Sequence, residues 1–255
     1  MNALIFLVLF PLCIAGLALV VPPVLNVRRI IGVTANIVLC VVPVYLLIKY
    51  LDTGPVFFRL ESPWISPLML ATEIAIALYI IYVSLRAKRT LPALLVLVQS
   101  VVMVIFEVTS GHGMHVEHSL FVDKFSIIMA LIVGIIGSAI CLYSIGYMPE
   151  YHHHYPEVKD RRRYFGFLLY LFLSAMFGIV FSNNLMWVYF FWEITTLCSF
   201  LLIGYRDDKA SRDSAFKALV MNLVGGVAFA AGLVYLYHSA HTMELDKMIR
   251  LEKSY

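Results

Sequence analysis

The stretch LMWVYFFWEITTLCSFLLIGY, Leu185 to Tyr205, is apolar and aromatic almost throughout and carries a single acid, Glu193. A helix that crosses a bilayer needs about 20 predominantly apolar residues. Glu193 lies nine residues after Asn184 and eleven before Gly204, roughly 15 Å from either end at about 1.5 Å per residue. A glutamate side chain is too short to reach water over that distance, and a carboxylate at bilayer depth costs at least about 2.5–3.5 kcal/mol. Such a residue faces a protein interior or a hydrated cavity. Burial favours the neutral carboxyl and a nearby cation favours the charged one. A group held between those states can load and release a proton. The alternative is a neutral or paired carboxyl that only ties helices together.

The rest of the chain has the same character. Of 255 residues, 62% are hydrophobic and 14% charged, against about 45–50% and about 25% in soluble domains. Eight segments are long and apolar enough to span: 3–21, 30–49, 67–85, 91–110, 121–146, 164–181, 185–204 and 213–238. The fold class is therefore an all-α, polytopic membrane helix bundle of about eight transmembrane helices. Only Ser182 to Asn184 separates the sixth and seventh spans, which predicts a tight turn. The stretch TGPVFFRLESPW, residues 53–64, is too short to span and reads as a surface hairpin or an interfacial strand pair. The N-terminus lacks the basic region and small-residue cleavage site of a signal peptide, so it is expected to remain as the first helix.

Basic residues set the orientation. The loops after spans 1, 3, 5 and 7 hold twelve Lys and Arg residues, the opposite side six. This places the N-terminus outside and the basic loops in the cytoplasm of a cell (plasma or inner) membrane. Cys13, Cys40, Cys141 and Cys198 fall in apolar runs without metal-ligand spacing and read as small, membrane-buried apolar residues. His112, His115 and His118, with Glu117 among them, and His152, His153 and His154 form two groups in polar loops. Their spacing matches no metal motif, and the expectation is solvated histidines. No phosphate loop, dinucleotide fingerprint or hydrolase nucleophile is present. No catalytic residue, cofactor, metal or nucleic-acid partner is expected. The intramembrane candidates besides Glu193 are Glu73, Glu107 and Lys217. Lys217 lies five residues after Arg212 and either snorkels to the surface or belongs to a hydrated path toward Glu193. Glu73 and Glu107 sit on spans 3 and 4, as a paired-carboxyl step or as headgroup-wetted ends.

Four linked stretches now resemble a known family. They are HSLFVDKFSIIMALIVGIIGSAICLYSIGYM, RRRYFGFLLYLFLSAMFGIVFSNNLMWVYFFWE, WEITTLCSFLLIGY and DSAFKALVMNLVGG, covering residues 118 to about 250. Together they resemble the antiporter-like membrane subunits shared by respiratory complex I, Mrp-type sodium/proton antiporters and energy-converting membrane-bound hydrogenases, most of all the branch of the largest such subunit. The resemblance implies proton-transfer residues along the membrane midplane. It makes Glu193 the glutamate that modulates a central lysine, and Lys217 the lysine of the Ala215-x-Lys217-Ala218 helix.

Three departures from the family pattern matter. The chain stops in a surface segment, so the expectation is a partial antiporter-like repeat: either another chain supplies the remaining helices, or this copy is not a complete channel. Leu223 and Gly226 stand where the complex I members have Arg and Asp. Spans 3 and 4 read as an addition that docks a small neighbouring protein of the complex. The domain expectation is 1–117 for N-terminal helices including those two spans, 118–238 for antiporter-like core helices, and 239–255 for an amphipathic surface tail. The leading functional expectation is a non-catalytic subunit that translocates protons or sodium ions in a multisubunit redox complex, hydrogenase-like or complex I-like. Its partners would be other membrane subunits, peripheral redox subunits on the cytoplasmic side and the lipid bilayer. The alternatives are a subunit of an Mrp-type sodium/proton antiporter, or a structural half-repeat that anchors the membrane arm.

Overall fold

The computed structural model describes residues 1–21, 25–60, 64–110 and 116–252. Helices α1 (Asn2–Val20), α2 (Leu25–Tyr50), α3 (Ile65–Arg86), α4 (Thr90–Ser110), α5 (Lys124–His154), α6 (Arg162–Phe181), α7 (Leu185–Ile203) and α8 (Lys209–Ala240) follow in order. All eight are long and apolar enough to cross a membrane, so the chain is a multi-pass helical membrane protein. A short helix α9 (Leu245–Glu252) and two strands, β1 (Val56–Phe58) and β2 (Leu120–Val122), complete the described elements.

The spans differ from the sequence expectation mainly at their ends. The fifth starts three residues later because Leu120–Val122 pairs as a strand with Val56–Phe58. The 53–64 stretch therefore contributes one strand whose partner lies more than sixty residues away, not a local hairpin; residues 61–63 are outside the described residues. Asp123 opens α5 with a capping box. Its carboxylate accepts from the Ser126 amide at 2.7 Å, and its own amide donates to Ser126 Oγ at 2.8 Å. Such caps contribute about 1 kcal/mol. The same helix runs on through Pro149 to His154, so His152–His154 are helical and not a loop. Arg28, Arg29, Lys209 and Arg212 also lie in first turns of helices instead of connecting loops.

The chain forms two compact units. Unit 1 holds residues 1–56, 122–181 and 201–212. In it α1 packs on α6, α2 on α5, α5 on α6, and α1 on α2. The α2–α5 approach is close: a Cβ on Gly134 would meet the Leu39 carbonyl at 2.7 Å and Pro43 Cγ at 2.8 Å. At one end Tyr205 packs with Met148 and Val158. Its hydroxyl lies 2.9 Å from His152 Nε2 and accepts from the Arg161 amide. His152, expected to be solvated, is thus enclosed, whereas His154 lies exposed beside Glu150.

Unit 2 holds residues 57–121, 182–200 and 213–255. There α3 packs on α4, and Met103, Phe106, Leu185, Tyr189, Ala230, Leu233 and Met243 form one apolar cluster. All four cysteines are free thiols. Cys141 and Cys198 are buried as expected, but Cys13 is exposed on its span, the side on which a bilayer supplies the apolar contact.

Candidate functional site

The buried side of α7 repeats at helical spacing through Leu185, Tyr189, Glu193, Thr196 and Phe200. Glu193 thus stands within a stripe whose other members anchor the helix. The carboxyl is 5% exposed. From α4, Gln99, itself 1% exposed, hydrogen-bonds it. From α8, Gly226 comes so close that a Cβ there would lie 2.5 Å from Gln99 Oε1 and 3.3 Å from Glu193 Oε1. The glycine leaves room for the carboxyl–amide pair. From α3, Glu73 lines the same cavity of about 20 Å³ as Gln99, Ser100, Tyr189 and Glu193. A cavity of at least about 10–15 Å³ holds one water, and Gln99 Oε1, without a protein partner, offers it an acceptor. None of the described residues that line the cavity is a cation. Two carboxyl groups on one small cavity without a cation disfavour being ionised together.

The structure therefore brings Glu193 and Glu73 together. Glu107, half-buried on α4, does not line this cavity. Lys217 is exposed. It precedes Gly226 by nine residues, roughly 13–14 Å along α8 and half a turn round it, so it occupies the face opposite Glu193. The two helices read from sequence as a docking addition, α3 and α4, wall the Glu193 cavity. Sequence reasoning passed over Gln99, Ser100 and Tyr189, and noted Gly226 only as a departure from the family pattern. A lone Gln-Ser pair inside the apolar run ALLVLVQSVVMV was the available signal, since an amide at bilayer depth needs a partner.

A second polar centre lies near the turn between α6 and α7. The Asn183 backbone amide donates to the Ser119 carbonyl and its carbonyl accepts from the Leu245 amide, both at 2.9 Å. Its side-chain amide donates to the His118 carbonyl and to Asp246 Oδ1, both at 2.9 Å. The fully buried Glu244 accepts from the Glu117 amide at 2.8 Å and from Lys247 Nζ at 2.9 Å. Lys247 also reaches Glu117 Oε2 at 3.0 Å. The hydrogen bonds to Glu244 and then Glu117 raise the Lys247 pKa. Glu117, His118 and Glu244 offer ligand atoms within 4.8 Å of one another, yet the ammonium of Lys247 already lies between the two carboxylates. His112 and His115 of the expected outer histidine group lie outside the described residues, as does Lys253 of the tail.

Eight apolar spans make this a polytopic membrane protein, and unit 2 holds a buried carboxyl pair with no cation among the described residues that line its cavity. Residues 108–165 match the family described as NADH-ubiquinone oxidoreductase (complex I), chain 5 N-terminus. Residues 182–254 match that described as NADH:quinone oxidoreductase/Mrp antiporter, TM. The chain is 36% identical over 131 residues to the A1 subunit of a Na(+)/H(+) antiporter from Staphylococcus haemolyticus, covering 51% of this chain and 15% of that one. It is 39% identical over 135 residues to an NAD(P)H-quinone oxidoreductase chain 5 of Picosynechococcus, covering 52% and 19%. The match spans less than a fifth of either relative. Among solved structures, a chain of the membrane-bound sulfane sulfur reductase, an archaeal respiratory membrane complex, has the same fold. Its TM-score is 0.64 at 12% identity, over 98% of this chain and 40% of that one. Residues 108–165 and 182–254 are thus antiporter-like segments, similar to those of complex I chain 5 and of Mrp antiporter chains.

Proposed function

We propose that this chain is an ion-translocating, antiporter-like subunit of a multisubunit redox complex, moving protons or sodium ions through the cavity shared by Glu193 and Glu73. The observation that carries the reading is a buried carboxyl, partnered by a neutral amide, beside a second carboxyl and a space of one water. Its position on α7 falls in a segment that resembles both oxidoreductase and antiporter subunits. Gln99 orients Glu193, and Tyr189 and Ser100 offer hydroxyls to the water. Glu107 lies outside this step, on the same helix as Gln99. Lys217 acts on the opposite face of α8, where Met221 and Val224 are also exposed and where further antiporter-like helices of a partner subunit pack. The N-terminus faces outside the cell membrane, and peripheral redox subunits sit on the cytoplasmic side.

Glu193→Gln keeps shape and removes the titrating group. In membrane vesicles it is expected to lower ion translocation at least tenfold without loss of assembly, with a smaller effect from Lys217→Met. Unchanged translocation in Glu193→Gln refutes the transport role and leaves the chain as a structural anchor. Mass spectrometry of the companions purified with the chain separates the two transport settings. Iron–sulfur or nickel–iron subunits fit the redox complex, and a set of small membrane proteins alone fits the Mrp-type antiporter suggested by the Staphylococcus relative.

A further inference from the structure

A cavity of about 650 Å³ in unit 1 has no part in the site above. Its volume lies within the roughly 300–1,000 Å³ of ligand pockets. Helices α1, α2, α5 and α6 wall it, with residues from Cys141 to Pro149 on α5 and from Arg162 to Tyr170 on α6. The slot therefore runs about 12 Å along the helices, with side chains such as Ile14, Leu17, Ile31 and Ile145 lining it. Two glycines keep it open. A Cβ on Gly32 would collide with Ile145, and one on Gly166 would lie 2.9 Å from Arg28 Nη2.

Three guanidinium groups line the same slot. Arg28 and Arg29 stand in the first turns of α2, and Arg162 is the first residue of α6. Arg28 is half-buried and donates to the Arg162 carbonyl at 2.6 Å. The Arg162 guanidinium is committed to Asp160, with contacts of 2.7 and 2.9 Å. Asp160 reaches Arg28 only through space, against the larger effects of Arg162 and Arg163, so positive charge is in surplus near the N-terminal end of α2, whose dipole also favours an anion. An apolar slot ending in surplus guanidinium, on a chain that crosses a bilayer, has the chemistry of a lipid with a negative headgroup. A free phosphate ion would use the arginines but not the apolar walls.

We propose that this slot binds an anionic glycerophospholipid, its phosphate held by Arg28 and Arg29 and its proximal acyl carbons lying between α1, α2, α5 and α6. The test is native mass spectrometry of the full chain, delipidated in mild detergent and titrated with phosphatidylglycerol or phosphatidylcholine of identical acyl chains. Phosphatidylglycerol is expected to bind more tightly. Arg28→Gln combined with Arg29→Gln should lower that preference roughly thirtyfold, or about 2 kcal/mol at about 1 kcal/mol per basic residue. Ser144→Trp narrows the slot with every charge in place, and it should weaken both lipids. Glycerophosphoglycerol, the headgroup without acyl chains, should bind no better than background. Equal affinity for the two lipids, or a preference that survives the arginine replacements, overturns the proposal. So does binding of the bare headgroup as tightly as the lipid, which would make this an ordinary anion site.

Discussion

Replacing Gly226 by alanine tests the packing around Glu193 without touching an ionisable group. Two effects oppose each other. Alanine in a helix interior is favoured over glycine by about 0.8–1 kcal/mol. The new Cβ, however, would lie 2.5 Å from Gln99 Oε1, about 1 Å inside ordinary contact. Gln99 can retreat into the 20 Å³ cavity that it lines, at the expense of its bond to Glu193. The losses are then a hydrogen bond worth about 1–3 kcal/mol, depending on the charge of the carboxyl, and part of the overpacking cost of about 1–3 kcal/mol. Gly232, six residues on in the same helix, is the internal control, because a Cβ there meets nothing within 4 Å. Gly232→Ala is expected to be neutral or stabilising by up to about 1 kcal/mol. Propensity cancels between the two variants, so Gly226→Ala should fall below Gly232→Ala by about 1–3 kcal/mol. Thermal unfolding of the two proteins side by side in one detergent measures the gap. Infrared spectroscopy of the Glu193 carboxyl stretch reports whether its hydrogen bond has gone. Equal stability to within about 0.5 kcal/mol, with an unshifted carboxyl band, would refute the close approach of α8 to the Gln99–Glu193 pair.

Three further outcomes are expected. Glu244→Ala removes the buried acceptor of the Glu117 amide and Lys247, and should cost about 2–3 kcal/mol of local stability. Faster hydrogen exchange of the Leu185 and Leu245 amides, which bond to Met243 and Asn183, reports the loss; Glu244→Gln should lose less. Because Lys247 has a raised pKa in the fold, its contribution is fully present below about pH 10.4, where the unfolded lysine is charged. That contribution disappears as pH rises through the higher folded value, so melting temperature should fall more steeply above about pH 10.4 in the parent than in Lys247→Met. In unit 1, Tyr205→Phe deletes the hydroxyl that meets His152 and the Arg161 amide. It should destabilise by about 1–2 kcal/mol in a chemical melt, with the Arg161 bond to the Tyr205 carbonyl retained.

The spans were legible because hydrophobic length is a local property, and each of the eight expected segments overlaps one of α1–α8. The strand pair was not. Val56–Phe58 finds its partner only when the chain returns at Leu120, and neither segment names the other. The continuation of α5 to His154 was hidden by Pro149 and by polar residues that read as a loop, although a helix leaving the apolar layer needs no apolar residues. At the site, Glu193 was legible because a carboxyl within an apolar span is costly wherever its partners lie. For Lys217, the side of the helix it occupies follows only once Gly226 is known to face Glu193. Gly226 stood out only as a departure from the family pattern, and its packing role had no local signal. Its role depends on a side chain 127 positions away in sequence, Gln99.

Among the described residues, unit 2 contains two buried glutamates, and the contrast between them argues which one is suited to moving charge. Glu244 accepts from a backbone amide and an ammonium, so its negative charge is matched by a fixed partner and its removal is a question of stability. It ties the chain at Glu117 to the start of α9. Glu193 has a neutral amide for a partner, a glycine that makes room beside it, a space of one water and a second carboxyl across that space. Nothing in that set fixes its charge, and the cavity can solvate a change in it. A carboxyl kept only for holding helices would be better served by the Glu244 arrangement, because a charge buried without a matching cation is costly. The absence of a cation among the described residues lining the Glu193 cavity is therefore the feature that most favours transfer over anchoring. Supplying one is the sharpest reversal of it: Gln99→Lys should pin the Glu193 charge, preserve the fold better than it preserves transport, and fail to do so only if Glu193 is structural.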